Sequence, residues 1–130
     1  NLSAEEAPGL LSLADLAFLL RKDHAVNRVS SPVKFGEYMA AGLPAVMTPW
    51  VGDYSSVVSS NGTGVILKLR RHALNWGALF KMFMFIRNYK KHQSVIRKNC
   101  QLAARRELSW DHHNQDFFRM YSAIQIEDRL

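Results

Sequence analysis

The sequence predicts an α/β fold: part of a Rossmann-like parallel sheet of about three short strands, flanked by helices and followed by a long helical C-terminal segment. Short apolar runs alternate with helical patterns in the first half of the chain, and turn signals separate them. The helical pattern then continues through most of the second half. With 130 residues, of which 48% are hydrophobic and 22% charged, the chain has the size and composition of a single domain.

Residues 1–30 predict a helix, a strand and a loop, in that order. Ser3 and Glu6 have the spacing of a capping box, which predicts a short helix ending near Leu13. The apolar run over residues 15–20 is typical of a strand that is buried on both faces. Residues 21–30 are polar and basic, so we expect a loop there.

Residues 31–69 predict a helix between two further strands. Ser31 is expected to cap a helix over residues 32–41, because Pro32 follows it and Gly42 supplies a stop signal. The second strand is predicted over residues 45–48. The third is predicted over residues 65–69, after a loop that ends in a helix-capping aspartate, Asp53.

The remainder of the chain, from residue 72, predicts helices. Residues 85–106 have the pattern of one amphipathic helix with a basic face over residues 87–106. A break is expected near Leu108 and Ser109, where the serine could cap a last helix. Cys100 lies on the apolar side of the pattern, so we expect a buried thiol that behaves as a small hydrophobic residue.

The predicted helix over residues 32–41 carries a charged pair opposite its apolar face. Its apolar face consists of Phe35, Tyr38, Met39 and Gly42. Lys34 and Glu37 lie on the other side, near the carboxyl end of a strand, where open α/β sheets bind their ligands. The helix N-terminus, Ser30, Ser31 and Lys34 would suit a phosphate, and the Glu37 carboxylate would suit the hydroxyls of a ribose. The alternative interpretation is an ordinary surface ion pair between Lys34 and Glu37.

The stretch "SPVKFGEYMAAGLPAV" resembles the donor-binding signature of the group-one, family-four-like glycosyltransferases, which have the GT-B architecture of two Rossmann-like domains. The flanking stretches "SAEEAPGLLSLADLAFLL" and "LSWDHHNQDFFRMY" resemble the family's preceding helix and strand and its closing helix. The resemblance implies that the chain is the latter portion of the C-terminal, nucleotide-sugar-binding domain of a larger glycosyltransferase. The N-terminal portion of that enzyme would then be a partner of this chain, and the chain alone would be inactive.

The resemblance also implies roles for individual residues. Glu37 would bind the donor ribose. The turn that faces the diphosphate would consist of Ser30, Ser31, Pro32, Val33 and Lys34. The family commonly has a sugar-contacting glutamate eight positions before the ribose-binding one, but Val29 stands there, so sugar recognition is unassigned. The family's catalytic Arg and Lys would precede residue 1, so no catalytic residue is assigned either.

Four further residues are candidates for the donor cleft. Arg21 and Arg28 follow the first strand and could add to phosphate binding, or they could be solvated charges. Trp50 and Gly52 follow the second strand and could line the cleft. We expect no metal site and no cofactor, because the chain has a single cysteine and its histidines lack ligand spacing.

The net charge of +6 is unevenly distributed. Eleven lysine and arginine residues, and no acidic residue, lie between Asp53 and Glu107, which favours an anionic partner. An anionic membrane that contacts the basic face over residues 87–106 is one interpretation, and a solvated helix face is the other. No nucleic acid is expected, because no binding motif accompanies the charge.

The function most consistent with these features is nucleotide-sugar donor binding in a glycosyltransferase of polysaccharide or glycoconjugate biosynthesis. The alternatives are a sugar-nucleotide epimerase of the same architecture and a non-enzymatic basic module that binds anionic lipid or nucleic acid. The sequence has neither a membrane-spanning run nor a signal-peptide pattern. We therefore expect a cytoplasmic protein, with peripheral binding at the inner membrane face if the basic face contacts lipid.

Overall fold

The computed structural model describes residues 6–69, 75–109 and 114, and it has the predicted α/β architecture. Its parallel sheet has the order β1-β2-β3, in which the strands are Ala17–Leu19, Ala45–Met47 and Gly64–Ile66. Six α-helices lie in the described residues: α1 (Ala7–Ser12), α2 (Ala25–Val29), α3 (Val33–Ala40), α4 (Tyr54–Asn61), α5 (Trp76–Lys91) and α6 (Gln93–Ala103). A π-helical turn, Ala104–Leu108, continues α6.

Strand β2 is the centre of the molecule. All three of its residues are completely buried, and Ala45 pairs with both Ala17 and Gly64. Ala45 and Met47 belong to the larger core cluster, which includes Phe35 of α3, whereas Val46 belongs to a second, smaller cluster. Because successive side chains of a strand point to opposite faces of the sheet, β2 divides the core into two layers, one on each face.

Helices cover both faces of the sheet. The larger cluster contains residues from α3, α4 and α6, and α6 packs against α3 and α4. On the other face, Ala78, Met82 and Phe85 of α5 pack with Val46 and Val65. Because both faces of β2 are covered, its side chains can be continuously apolar, as is typical of a parallel strand.

The prediction that the first strand is buried on both faces is wrong. Ala17 and Leu19 are buried, but 54% of Phe18 is exposed. Phe18 is in register with Val46 and Val65 and so lies on the α5 face of the sheet. Since α5 packs against β3, at the opposite edge, it leaves Phe18 largely uncovered.

The loop predicted over residues 21–30 contains helix α2. His24 caps it, because its Nδ1 accepts a hydrogen bond from the Val26 N–H at 3.3 Å. Histidine is not among the common capping residues, and a helix of five residues has too little periodicity to be recognised.

The cap predicted at α3 is wrong, and the cap predicted at α4 is confirmed in its position but not in its hydrogen bond. Helix α3 begins at Val33 and has Pro32, not Ser31, at the cap position, so no side chain caps it. Asp53 occupies the cap position of α4, but its side chain makes no capping hydrogen bond. The Ser56 hydroxyl donates to the Asp53 carbonyl oxygen instead.

The single amphipathic helix predicted over residues 85–106 is interrupted. Helix α5 ends at Lys91, and His92 leaves helical geometry with φ −126° and ψ 30° before α6 begins. The periodicity runs through this junction, so the sequence pattern did not reveal it. The predicted break at Ser109 is present, whereas the predicted last helix and the Ser3 cap lie outside the described residues.

Arg97 fixes α6 against three other parts of the chain. Its guanidinium donates to the carbonyl oxygens of Ala14 and Ala41 and to the Tyr89 hydroxyl, at 3.2–3.4 Å. These bonds join α6 to the end of the α1 segment, to α3 and to α5.

None of the helices in the described part of the chain combines the length and apolar content needed to cross a bilayer.

We expect Gly64→Ala to destabilise the fold strongly. A Cβ atom there would overlap the Ala45 carbonyl oxygen, and relieving that overlap should cost about 3 kcal/mol or prevent folding. The matched control is Gly36→Ala in α3, where a Cβ meets nothing within 4 Å and the higher helix propensity of alanine should stabilise by up to about 1 kcal/mol. Urea unfolding measures both, and equal stabilities would contradict the close strand pairing.

A second prediction concerns Cys100, which is completely buried. Burial raises the pKa of its thiol from 9.0 to about 12, against a smaller lowering by the Arg97 charge. Above pH 9.0 the unfolded thiol ionises while the folded one stays protonated, so the free energy of unfolding should fall by about 1.4 kcal/mol per pH unit until the folded pKa is reached. Urea unfolding across this pH range should show a shallower decline for Cys100→Ala, and parallel curves would refute the assignment.

Candidate functional site

Two helix N-termini meet at the carboxyl edge of the sheet. Helix α3 follows β1 and helix α4 follows β2, so both begin at the edge where open α/β sheets bind ligands. Between them lies an open cleft of about 610 Å³. The α3 side of the cleft is formed by Ser31, Val33, Gly36 and Glu37. The α4 side is formed by Asp53, Tyr54 and Val57, and the π-helical turn adds Glu107 and Leu108.

A stacked aromatic pair sets the spacing of the two helices. The rings of Phe35 on α3 and Tyr54 on α4 have centroids 4.3 Å apart and planes 18° apart. Phe35 is completely buried beneath the cleft, whereas Tyr54 is half-buried and forms part of the lining. The stack holds α3 and α4 in one relative position and provides an aromatic surface at the base of the cleft.

The charge of the cleft lining is negative. Glu37, Asp53 and Glu107 all contribute exposed carboxylates, and among the described residues no lysine or arginine lines the cleft. The Asn61 amide donates to Glu107 Oε1 at 2.7 Å, which ties the π-helical turn to the end of α4. Within the described residues, no group of three or more acidic, histidine or cysteine side chains is arranged to hold a metal ion.

Glu37 lies in the cleft, and Lys34 lies outside its lining. Both side chains are exposed, and in the described part of the chain the ion pair joins Arg28 and Asp23 instead. Lys34 and Glu37 form no ion pair with each other in this part of the chain. The carboxylate of Glu37 is available to a ligand that enters the cleft.

The other candidate residues are divided between the cleft and its surroundings. Ser31 and Val33 line it, and Pro32 lies between them at the start of α3. The Ser30 hydroxyl donates to the Asn27 carbonyl oxygen at 3.1 Å. Trp50 is half-buried and is not part of the lining.

Both candidate arginines are held by the segment that contains α2. Arg21 Nη1 donates to Asn27 Oδ1 at 3.2 Å, and Arg28 Nε donates to Asp23 Oδ1 at 2.7 Å. Neither arginine lines the cleft. Both would have to leave these partners to reach a phosphate in it.

Two residues join the loop after β1 to the loop after β2. The buried Thr48 hydroxyl accepts from the Arg21 N–H at 2.9 Å and donates to the Arg21 carbonyl oxygen at 2.8 Å. The Gly52 N–H donates to the Asn27 carbonyl oxygen at 3.2 Å. Gly52 has φ +51°, and a Cβ there would lie 2.5 Å from the Ser30 carbonyl oxygen. The rim of the cleft is thus a single connected unit.

A second groove adjoins the cleft. It has a volume of about 460 Å³, shares Gly36 and Leu108 with the cleft, and continues between α3 and the π-helical turn. Gln101 contributes a side-chain amide to the lining of this groove, and Arg105 contributes a guanidinium. Arg105 therefore places a basic side chain in the groove beside the carboxylate-lined cleft.

Sequence reasoning missed several lining residues. Tyr54 and Val57 could have been found, because they lie in the first residues of α4, the helix that follows β2 and has Asp53 at its cap position. No such signal marked Glu107. It lies more than fifty residues after Asp53 along the chain, and the π-helical turn brings it to the cleft.

Comparisons with models of known protein families, with curated proteins and with solved structures found no match to this chain.

We expect Gly52→Ala to disrupt the connected rim. The change combines an unfavourable positive φ with a clash against the Ser30 carbonyl oxygen, which together should cost about 3 kcal/mol. Gly62→Ala is the matched control, because Gly62 has φ +62° but a Cβ there meets nothing within 4 Å, so only the φ penalty of about 1 kcal/mol applies.

Urea unfolding measures both costs, and amide NMR shifts at residues 27–31 show whether the rim moves. If the two variants lose equal stability and leave those shifts unchanged, the close contact between the loops does not exist in solution.

Proposed function

We propose that this chain is the donor-binding part of a glycosyltransferase, which holds a nucleoside-diphosphate sugar while the sugar passes to an acceptor. One observation carries the proposal: Glu37 is an exposed carboxylate that forms no ion pair with any of the described residues, and it lines a cleft at the N-terminal end of α3. The stretch around it resembles the donor-binding signature of the family-four-like glycosyltransferases. The proposal assigns donor binding, and not catalysis, to the described residues.

The chemistry of Glu37 suits a ribose. A carboxylate accepts hydrogen bonds through two oxygens, so it can bind two neighbouring hydroxyl groups of one sugar ring. Such charge-assisted bonds are stronger than those between neutral groups. The half-buried Tyr54 lies in the same lining and offers an aromatic surface to a ring held by Glu37.

The start of α3 suits the diphosphate. A helix N-terminus carries partial positive charge, and Pro32, at the cap position of α3, offers the first-turn N–H groups no side-chain acceptor. The Ser31 hydroxyl lies beside them in the lining. Lys34 is exposed on the first turn and lies outside the lining, from which its flexible side chain could turn toward an anion.

The remaining carboxylates orient the donor. All three lining carboxylates, Glu37, Asp53 and Glu107, would repel a diphosphate, so its favourable position is at the N-terminal end of α3, near Ser31, where the helix carries partial positive charge. The same carboxylates can accept hydrogen bonds from neutral hydroxyl groups, which are abundant on a sugar. The lining therefore suits a ligand whose phosphate lies at the N-terminal end of α3 and whose hydroxyl groups lie near the carboxylates.

The test is a nucleotide titration followed by NMR, which detects weak binding. Uridine, guanosine and cytidine diphosphates are titrated into the wild-type chain and into Glu37→Ala. Loss of a charge-assisted hydrogen-bonding pair should weaken binding about tenfold or more. Asp15→Ala is the matched control, because Asp15 is an exposed carboxylate that precedes β1 and so lies at the opposite edge of the sheet. Its affinity should equal that of the wild type.

A 2′-deoxy nucleotide separates ribose recognition from a general charge effect. Removing the 2′-hydroxyl should weaken binding to the wild type and have little further effect on Glu37→Ala, because both changes remove the same interaction. Equal losses in the two proteins would mean that Glu37 does not contact the ribose. Unchanged affinity of Glu37→Ala for all three nucleotides would overturn the proposed function.

A further inference from the structure

Helix α5 has two opposite apolar faces. Its inner face, which contains Ala78, Met82, Phe85 and Tyr89, packs into the two core clusters. The outer face of α5 begins with four large apolar side chains, Trp76, Phe80, Phe83 and Met84, which are 87%, 65%, 59% and 44% exposed. Their spacing places them on one stripe, directly opposite the inner face.

The same stripe becomes cationic toward the end of the helix. Arg87, Lys90 and Lys91 continue the outer face of α5, and all three are exposed. Lys81 is on the flank of the helix, and its ammonium donates to the Ile66 carbonyl oxygen at 3.0 Å, so it anchors α5 to β3. The outer face therefore has an aromatic first half and a basic second half.

Folding of the described residues does not account for this outer face. Large apolar side chains are common singly at a surface, but a contiguous aromatic row marks a surface that binds something. Helix α5 itself carries no negative residue that would offset its basic ones, because no Asp or Glu occurs between Asp53 and Glu107 in the sequence. The outer face thus combines exposed aromatic area with positive charge that α5 does not neutralise.

We propose that the outer face of α5 docks on an anionic lipid bilayer. Trp76, Phe80 and Phe83 would enter the boundary between headgroups and acyl chains, where tryptophan is favoured, and Arg87, Lys90 and Lys91 would contact the phosphates. Basic residues near an anionic membrane attract it, and a helix with an apolar stripe binds in the plane of the interface. A bilayer suits a convex helix ridge because lipids adapt to its shape.

This surface differs from the one that the sequence predicted. The basic face expected over residues 87–106 is divided at His92, and Arg97 of α6 turns inward to bond with Ala14, Ala41 and Tyr89. Trp76, Phe80 and Phe83 lie before residue 85 and were not part of that prediction. The docking surface is thus a feature of α5 alone.

Docking through α5 leaves the cleft accessible. Ala78 and Met82, in the first half of α5, pack on the side of the sheet that carries Val46, whereas Phe35 of α3, beneath the cleft, packs on the side that carries Met47. A bilayer held against the outer face of α5 therefore lies across the sheet from the base of the cleft. This proposal does not depend on the identity of the ligand in the cleft.

The experiment is vesicle flotation of the wild-type chain with two kinds of vesicle, phosphatidylcholine alone and an equimolar mixture with phosphatidylglycerol. We expect the chain to float with the mixed vesicles, and to lose about tenfold or more of its partition coefficient when Trp76, Phe80 and Phe83 are all changed to serine. The matched control changes Leu13, Val26 and Val95 to serine, since these apolar side chains are 83%, 64% and 57% exposed elsewhere on the surface. It should bind as the wild type does.

Charge is tested in the same assay. Changing Arg87, Lys90 and Lys91 to glutamine should reduce binding to mixed vesicles about tenfold or more, whereas changing the exposed Lys98, Arg105 and Arg106 should have a much smaller effect. Failure of the wild type to float, or equal binding by the serine triple variant, overturns the proposal. So does sedimentation equilibrium showing that the outer face instead joins two copies of the chain, with the serine triple variant monomeric.

Discussion

The structure depends on how closely β3 approaches β2. Gly64 lies so near the main chain of Ala45 that no side chain fits between the two strands. Helices pack on both faces of the sheet that these strands form, and they bury β2 completely. The larger core cluster rests on Ala45 and Met47, and the smaller one rests on Val46. Helices α3 and α4 owe their positions to that arrangement, and so does the cleft between them.

The fold class could be predicted from the sequence because it follows from local patterns. The apolar runs located all three strands, and the period of Phe35 and Met39 identified the buried face of α3 correctly. Exposure of Phe18 could not be predicted in this way, since it depends on which strand α5 covers. The junction at His92 was missed because it carries neither glycine nor proline and does not disturb the apolar period.

The candidate site could be predicted only where it follows from chain connectivity. A helix after a parallel strand must begin at the carboxyl edge of the sheet, and this rule placed Ser31 and Glu37 beside a cleft. The acidic character of the lining was not predictable, because Glu107 arrives from a distant part of the chain. The positions of Arg21 and Arg28 depend on the contacts of α2, a helix that the sequence pattern did not reveal.

The contact of Gly52 with the segment before α3 has a consequence for how the cleft receives a ligand. The hydrogen bond from its amide to Asn27 and the close approach of its α-carbon to Ser30 restrain the two strand-end loops relative to each other, so the rim is assembled before anything arrives. Preorganisation of this kind places the entropic cost of association on the incoming molecule and spares the polypeptide. Discrimination between ligands at this rim then rests on fixed shape and charge, and a ligand of the wrong length gains nothing from loop closure.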